Sequence, residues 1–305
     1  MRWPVAGKVV LVTGAARGIG AETARAAAAR GARVALVGLE PERLAALAAD
    51  LGRGHAWHEC DVTDQAALER AVAAMAEALG GIDVVVANAG VANHGTVAAN
   101  PVTALARTIE VDLVGVVRTV SATLPHVTRG RGHYLLVSSA AAFTALPGMA
   151  CYCAAKAGVE QFGNALRLEL AHKGVTVATA HPSWVETDLV RDLRDDLPVL
   201  RRTLRRLPGP LGVSTTAAAC AEAFVDGIER RRRRVYVPRT LAGVQAMRTL
   251  FAGPVADLVL RRRARALVPE LEREVARLGR SFGRHSTEVA AGPAGGDPAL
   301  SDERE

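Results

Sequence analysis

The sequence predicts an α/β protein: a doubly wound parallel sheet of seven strands with helices on both faces, followed by a C-terminal helical extension. Three observations carry that reading. Short runs of apolar, β-branched residues alternate with helical stretches over residues 8–237, the pattern of repeated β-α units. A glycine-rich turn joins the first strand to the first helix. Beyond Pro238 the strand signals stop while helical periodicity continues.

Val9–Thr13 is a run of buried-strand residues. It is followed by Gly14-Ala15-Ala16-Arg17-Gly18-Ile19-Gly20 and an Ala-rich helix over 21–30, which Gly31 closes. Residues 32–37 read as the second strand, and Pro41–Leu51 as a helix with Leu44, Leu47 and Leu51 on one face. A third strand ends at Cys60-Asp61-Val62, with Thr63 as N-cap of the next helix. The fourth, 82–87, ends in Asn88-Ala89-Gly90, and Pro101 then opens one long helix over 101–127. The fifth strand, 134–137, ends in Ser138-Ser139. A loop marked by Pro147-Gly148 leads to a helix that opens with Tyr152. The sixth strand, 175–180, ends in His181-Pro182-Ser183, and a helix over 215–229 leads to the last strand, 235–237. Ligands of parallel sheets collect at the carboxyl ends of the strands. Each polar motif falls at such an end.

The 305 residues, 50% of them apolar, suit one large domain over 1–240 plus an appendage. No window approaches the roughly 18 uninterrupted apolar residues of a membrane span. Met1-Arg2-Trp3-Pro4 leads straight into a strand, which leaves no room for a secretory leader; a cytoplasmic location is expected. Cys60, Cys151, Cys153 and Cys220 form no C-x-x-C pair or zinc spacing. They are expected to be reduced, with Cys151 and Cys153 read as small packing residues and redox sensing as the alternative. The histidines lack ligand spacing, so no metal is expected. Net charge is +7 and the pI about 9.8, carried almost wholly by arginine. The arginine run 230–234 reads as a solvated helix end, favourable near a helix C-terminus. No stacking aromatics are interleaved with it, so no nucleic-acid partner is expected.

Tyr152 and Lys156 stand four apart and share one helix face. A phenol ordinarily titrates near ~10. An ammonium held close favours the phenolate and is expected to lower that value into the acid–base range. Ser139 can hydrogen-bond a substrate carbonyl or alcohol oxygen while Tyr152 exchanges its proton. Cys153, Ala154 and Ala155 are small enough to admit a flat cofactor. Alone, a Y-x-x-x-K pair is a common surface feature; the upstream serine and the glycine turn make it a candidate site. The turn reads G-x-x-x-G-x-G, and its tight backbone ahead of a helix N-terminus suits a pyrophosphate.

In the order and spacing of Thr13 to Gly20, Asn88-Ala89-Gly90, Ser139 and Tyr152-Cys153-Ala154-Ala155-Lys156, the chain resembles the short-chain dehydrogenase/reductases over residues 5–240. The resemblance implies a Rossmann-like seven-stranded sheet and a nicotinamide cofactor. Gly14, Arg17, Gly18, Ile19, Gly20 and Leu39 would hold it, with Asp61 and Val62 at the adenine and Asn88, Ala89 and Gly90 alongside. It implies Tyr152 as acid–base residue, Ser139 positioning the substrate oxygen, Lys156 on the nicotinamide ribose while tuning Tyr152, and Thr187 at the carboxamide. It also implies a homo-oligomer, dimer or tetramer, built through the helices over 101–127 and 151–173.

Four departures from the family pattern stand out, and three of them carry expectations of their own. Asp112 stands where the family has asparagine in a water relay. An ionised carboxylate accepts but cannot donate, and it favours a charged Lys156. Retained activity with an altered pH profile is therefore expected; the alternative is an aspartate satisfied within its own helix. Ser183-Trp184 follows Pro182 in place of the usual glycine, so Trp184 is expected to wall the site, and Ala87 replaces the first of two usual asparagines. At the end of the second strand the chain has Gly38-Leu39 rather than an acid, with Glu40 two positions on, while Arg17 can pair with a 2′-phosphate. NADP(H) is favoured and NAD(H) stays open.

Between residues 188 and 212, Leu189, Leu193, Leu197, Leu200, Leu204 and Leu207 recur at helical spacing, interrupted by Pro198. In the family this segment covers the substrate. The stripe points to a hydrophobic alcohol or ketone, or else to ordinary packing of a lid on the core. Over 241–285, Leu241, Val244, Phe251, Val255 and Leu258 form one stripe, and Leu267, Leu271, Val275 and Leu278 another, with Pro254 and Pro269 as first-turn residues. Two or three amphipathic helices are expected there, packed on the domain, on a second subunit or on a membrane surface. Arg261, Arg262, Arg263 and Arg265 would suit anionic headgroups. The Gly/Pro/Ala-rich tail over 286–305 is expected to be disordered. The reading is an oxidoreductase interconverting a secondary alcohol and a carbonyl. Its rivals are a non-catalytic dinucleotide sensor, against which the intact Ser139, Tyr152 and Lys156 set argues, and a membrane-peripheral reductase of lipid-derived substrates.

Overall fold

A computed structural model describes residues 2–204, 207, 209–251 and 253–286. Strands and helices alternate along the first part of the chain: β1 (Val9–Thr13), α1 (Gly18–Ala29), β2 (Arg33–Gly38), α2 (Pro41–Leu51), β3 (Ala56–Glu59), α3 (Gln65–Leu79), β4 (Val84–Ala87), α4 (Val102–Ile109), α5 (Gly115–Arg129), β5 (His133–Val137) and α6 (Ala150–Glu169). Then come β6 (Thr176–Pro182), β7 (Trp184–Glu186), α7 (Asp188–Asp196), α8 (Pro198–Leu204), β8 (Ser214–Thr216), α9 (Ala217–Glu229), β9 (Arg234–Val237), α10 (Leu241–Ala246), α11 (Arg248–Phe251) and α12 (Pro254–Leu278).

Seven strands form one parallel sheet in the order β3-β2-β1-β4-β5-β6-β9. Successive strand residues face opposite sides, so Val10 and Val12 of β1 pack with α1 and α9 through Ala24, Phe224 and Ile228. Val9 and Leu11 pack on the other face with α3, α5 and α6 through Leu68, Val116 and Val159. Both faces are covered, which explains why the strands read as unbroken apolar runs. The winding reverses between β1 and β4, and the crevice opens there at the carboxyl ends of the strands. A second, two-stranded sheet pairs β7 with β8 beside it, a feature the sequence did not announce.

Several elements differ from expectation. The helix over 101–127 is broken in register: Glu110–Val114 forms a π-helical turn between α4 and α5, with Asp112 at its centre. Such turns re-aim one side chain and are frequent at functional sites. Pro101 is the N-cap of α4 rather than its first residue. Thr63 does not cap α3; Asp64 does, accepting from Ala67 N at 2.9 Å, while Thr63 turns back to Asp61. Pro198 does interrupt the leucine stripe, dividing α7 from α8. Pro254 begins α12 as expected, but Pro269 lies inside that helix rather than opening another.

The two stripes of the extension have different fates. Leu271 and Val275 are buried against Leu193, Leu197, Leu200 and Leu204. Leu241 is buried, whereas Leu258 is 53% exposed; the side chains of Phe251 and Val255 lie outside the described ones. Beyond Ser286, the tail expected to be disordered also lies outside the described residues. The arginine run is engaged within the chain: Arg230 meets Asp226 at 2.8 Å, Arg234 meets Glu160 at 3.4 Å, and Arg231 lies 4.1 Å over the Trp3 ring.

Candidate active site

At the switch point, the Thr13 hydroxyl accepts from the backbone N–H groups of Asn88 (3.0 Å) and Ala89 (3.1 Å), tying the ends of β1 and β4 together. Asn88 Nδ2 donates back to the Thr13 carbonyl at 3.0 Å. Gly14 turns with φ +64°, and a Cβ there would lie 2.8 Å from Ala89 Cα. A Cβ on Gly20 would run into the Gly14 carbonyl oxygen. Gly20 therefore does not line the crevice; it lets α1 pack up under the turn. No side chain caps α1, so its first N–H groups are left for a ligand.

The other expected cofactor residues, Gly14, Arg17, Gly18, Ile19, Leu39, Asp61, Val62, Asn88, Ala89, Gly90 and Thr187, all border one cleft. Two of them have partners that the sequence did not suggest. Arg17 forms a two-pronged ion pair with Glu40, one arm being Nε to Oε2 at 2.7 Å, and Glu40 borders the cleft as well. Asp61 accepts from Thr63 N and Oγ1, both at 2.8 Å, and pairs with Arg107 at 2.7 Å. Burial would raise the Asp61 carboxyl, but these partners hold it below the usual range.

Ser139, Tyr152, Lys156 and Asp112 meet on the far wall. Ser139 Oγ accepts from Ala141 N at 3.1 Å, which fixes the hydroxyl at the end of β5, and it interacts with the Tyr152 phenol. Ser138, one residue earlier, points the other way and donates to the Lys156 carbonyl at 2.7 Å. Lys156 Nζ lies 5.5 Å from the centroid of the Tyr152 ring and donates to the Val137 carbonyl at 3.2 Å. Asp112 Oδ2 stands 3.0 Å from that ammonium, and Oδ1 accepts from Val91 N at 2.7 Å. Asp112 is thus satisfied across the site and not within its own helix.

The electrostatics differ from the simple expectation for Tyr152. Its phenol is displaced upward, not downward: burial comes first, Lys156 opposes it, and the Asp112 anion adds to the rise. The cation expected to acidify the phenol is outweighed by burial and opposed by the Asp112 anion. Burial would lower Lys156, yet Asp112 and Tyr152 hold it above the usual ammonium range. Asp112 is raised by burial against the pull of Lys156. The arrangement is an enclosed ion pair beside a neutral phenol that borders the cleft.

Next to this wall a second compartment is lined by Ala140, Leu146, Met149, Trp184, Leu189, Val190 and Leu193, with Ser139 and Tyr152 at its inner end. Trp184 walls the site as its position suggested. No cluster of His, Cys, Asp or Glu that could hold a metal occurs among the described residues, nor a helix long and apolar enough to cross a membrane.

The family model for short chain dehydrogenase matches residues 8–198. The chain belongs to the short-chain dehydrogenase family. It is an NAD(P)-dependent oxidoreductase. An uncharacterized oxidoreductase of Myxococcus xanthus is 35% identical over 84% of this chain and 97% of its own. A 3-alpha-(or 20-beta)-hydroxysteroid dehydrogenase of Mycobacterium bovis is 34% identical over 72% of this chain and 88% of its own. A glycine betaine reductase of Emericella nidulans is 38% identical over 61% of this chain, but the match spans only 15% of that longer protein. Among solved structures, a short chain dehydrogenase/reductase from Burkholderia phymatum in complex with NAD superposes with a TM-score of 0.71 at 22% identity, over 82% of this chain and 95% of its own. An alcohol dehydrogenase from Thermococcus sibiricus complexed with 5-hydroxy-NADP gives 0.64 at 27% identity, over 75% and 94%.

The residues of this short-chain dehydrogenase fit a dinucleotide: Gly14, Gly18 and Ile19 border the cleft at the uncapped start of α1, whose N–H groups suit a pyrophosphate. Sequence reasoning missed Arg107, His285 and Ser286 on the cleft and set Glu40 aside. A basic residue after Pro101 gave Arg107 no distinguishing signal. His285 and Ser286 reach the cleft only because the extension folds back, which no local pattern announces.

Proposed function

We propose that this short-chain dehydrogenase interconverts an apolar secondary alcohol and its ketone, with Tyr152 exchanging the proton at the substrate oxygen. The observation that carries the reading is the meeting of Ser139, Tyr152 and Lys156 where the cleft joins an apolar compartment. When bound, the nicotinamide supplies or accepts the hydride. Ser139 Oγ accepts from Ala141 N and donates to the Pro182 carbonyl only over a long 3.5 Å, a contact its proton can leave to hold the substrate oxygen. Tyr152 Oη then gives or takes a proton at that oxygen. Lys156 is placed to hold ribose hydroxyls, and Asp112 keeps it charged. Trp184, Leu189 and Met149 exclude water and favour an alicyclic or aromatic substrate over a polyol.

The finer cofactor choice turns on Arg17. The lack of an acid at Gly38-Leu39 favours NADP(H) only while Arg17 is available to a 2′-phosphate. With Glu40 paired to it and facing the same cleft, that phosphate would have to displace a carboxylate. We infer that NAD(H) is used at least as well, Glu40 accepting from the ribose hydroxyls. Two further readings concern the extension and the assembly. The N-terminal half of α12, with Leu258, Val259 and Leu260 about half exposed above Arg261, suits contact with an anionic bilayer. A homo-oligomeric assembly agrees with membership of the family, and a cytoplasmic setting agrees with four free cysteines. Sedimentation with anionic and neutral vesicles tests the first, and retention of all protein in the supernatant counts against it.

The principal test offers NADH and NADPH with cyclic and aromatic ketones and, separately, polyols in the oxidising direction. Apolar ketones are expected to turn over, and Tyr152→Phe to lose about 10²–10⁴-fold in rate while still binding cofactor. Turnover of polyols alone, or a Tyr152→Phe variant at full rate, would overturn the proposal.

A further inference from the structure

We infer that residues 280–286, immediately after α12, form a clasp that ties α7 to the opposite rim of the cleft, so that dinucleotide exchange requires the clasp to open. This rests on the reading of the cleft as the dinucleotide site.

The clasp begins where Gly279 ends α12 in the left-handed region, at φ +66°, and turns the chain back over the molecule. It is held on one rim by the loop after β4 and by the glycine turn. Phe282 is buried against Val62, Val91 and Val111 and bridges Asn93 in antiparallel fashion. His94 N donates to the Ser281 carbonyl at 2.6 Å. Arg17 Nη1 donates to the His285 carbonyl at 2.9 Å, and His285 and Ser286 border the cleft itself.

On the other rim the clasp holds α7, whose Leu189 and Val190 border both compartments. Arg280 pairs with Asp196 at 2.6 Å. His285 N donates to Asp192 Oδ2 at 2.8 Å, and its ring Nδ1 meets Oδ1 at 2.7 Å. Asp192 is buried, and Asp196, one turn on, is half-buried with its carboxylate mostly enclosed. Two enclosed carboxylates so close need these partners, because burial without them is costly and like charges at this spacing repel. Gly283 makes the approach possible: a Cβ there would run into the Asp192 carboxylate.

The foundation of the clasp is equally specific. A Cβ on Gly95 would lie 2.7 Å from Val275 of α12, and one on Gly148, in the loop between Ser139 and Tyr152, would run into Leu271. Glu272 accepts from Thr96 Oγ1 at 2.7 Å, and Glu274 from Val199 N at 3.1 Å. Helix α12 is therefore anchored on both sides of the substrate compartment, and the clasp hangs from a fixed point. A dinucleotide passing between α7 and the glycine turn must part the contacts at Arg280 and His285.

Gly283→Val in the full chain pries the clasp from α7 without altering a cleft residue, and Arg280→Ala removes the Asp196 contact separately. The expected result is NADH dissociation about tenfold faster in both, followed by stopped-flow displacement of its fluorescence. Amide hydrogen exchange over 188–196, measured without cofactor, is expected to rise in both. Unchanged dissociation in correctly melting variants, or unchanged exchange over α7, overturns the clasp. If the wild type binds NADH and the variants release it at the wild-type rate, the clasp fails while the cofactor reading stands. A wild type that binds neither NADH nor NADPH removes the cofactor reading and the exchange role of the clasp with it.

Discussion

Replacing Asp112 with asparagine probes the least usual feature of the site. The Asp112–Lys156 pair stands at 3.0 Å with both groups buried. At an effective permittivity of about 20, that separation corresponds to roughly 5–6 kcal/mol of gross attraction, much of it offset by desolvation of the two ions. Asparagine keeps an acceptor for Val91 N and loses the charge. The anion that raises the Tyr152 phenol disappears while Lys156 still opposes the rise, so the phenol pKa falls. The acid limb of kcat/KM for alcohol oxidation is expected to move down by about one pH unit, equivalent to ~1.4 kcal/mol in phenolate stability. A stability loss of about 1–3 kcal/mol should accompany it, from the weakened support of Lys156. The assay is a kcat/KM profile over roughly pH 6 to 10 with a parallel melting curve. A profile that does not move, or that moves to higher pH because Lys156 has lost its proton, refutes the assignment of Asp112 as the group that sets the Tyr152 pKa.

Gly20→Ala is expected to abolish dinucleotide binding or folding, since its Cβ would overlap the Gly14 carbonyl oxygen; wild-type affinity by calorimetry would contradict the packing argument. Glu40→Gln frees Arg17 of its carboxylate and should raise the NADPH over NADH preference about tenfold in kcat/KM; no change would show that Glu40 does not govern selectivity. Three enclosed histidines, His94, His133 and His181, are pushed by burial to about 4, 3 and 4. Their folded pKa lies below the unfolded one near ~6.5, so the unfolded state takes up more protons and stability falls as pH drops below that value. Each histidine costs about 1.4 kcal/mol per pH unit until its folded pKa is reached. His133→Gln should flatten the fall between about pH 6 and 4 in urea melts, and an unaltered slope would refute the role.

What was legible in the sequence is what regular spacing encodes. The strands read as apolar runs because both sheet faces are covered. The glycine turn and the Ser139, Tyr152 and Lys156 set stood out because a strand end and one helix face bring them together. The π-turn at Asp112 left no mark, because its extra residue per turn is invisible in a helical pattern that continues on both sides. Nor could spacing foretell the sign of the Tyr152 shift, which is a sum over burial and a carboxylate from another helix. Glu40 was visible, but its contact with Arg17 depends on how α2 starts relative to the glycine turn. Pro269 looked like a helix start because proline suits that position. A long helix docked by Leu271 and Val275 tolerates it instead.

The glycine at position 148 gives the extension a significance beyond its length. Because the loop that feeds into Tyr152 has no side chain there, it nests against Leu271, and the two segments share one seam. Trimming the chain after β9 would thus not yield a leaner enzyme. It would strip the wainscot from the substrate room, turn the leucines of α7 and α8 toward water, and leave the tyrosine's approach loop with nothing to lean on.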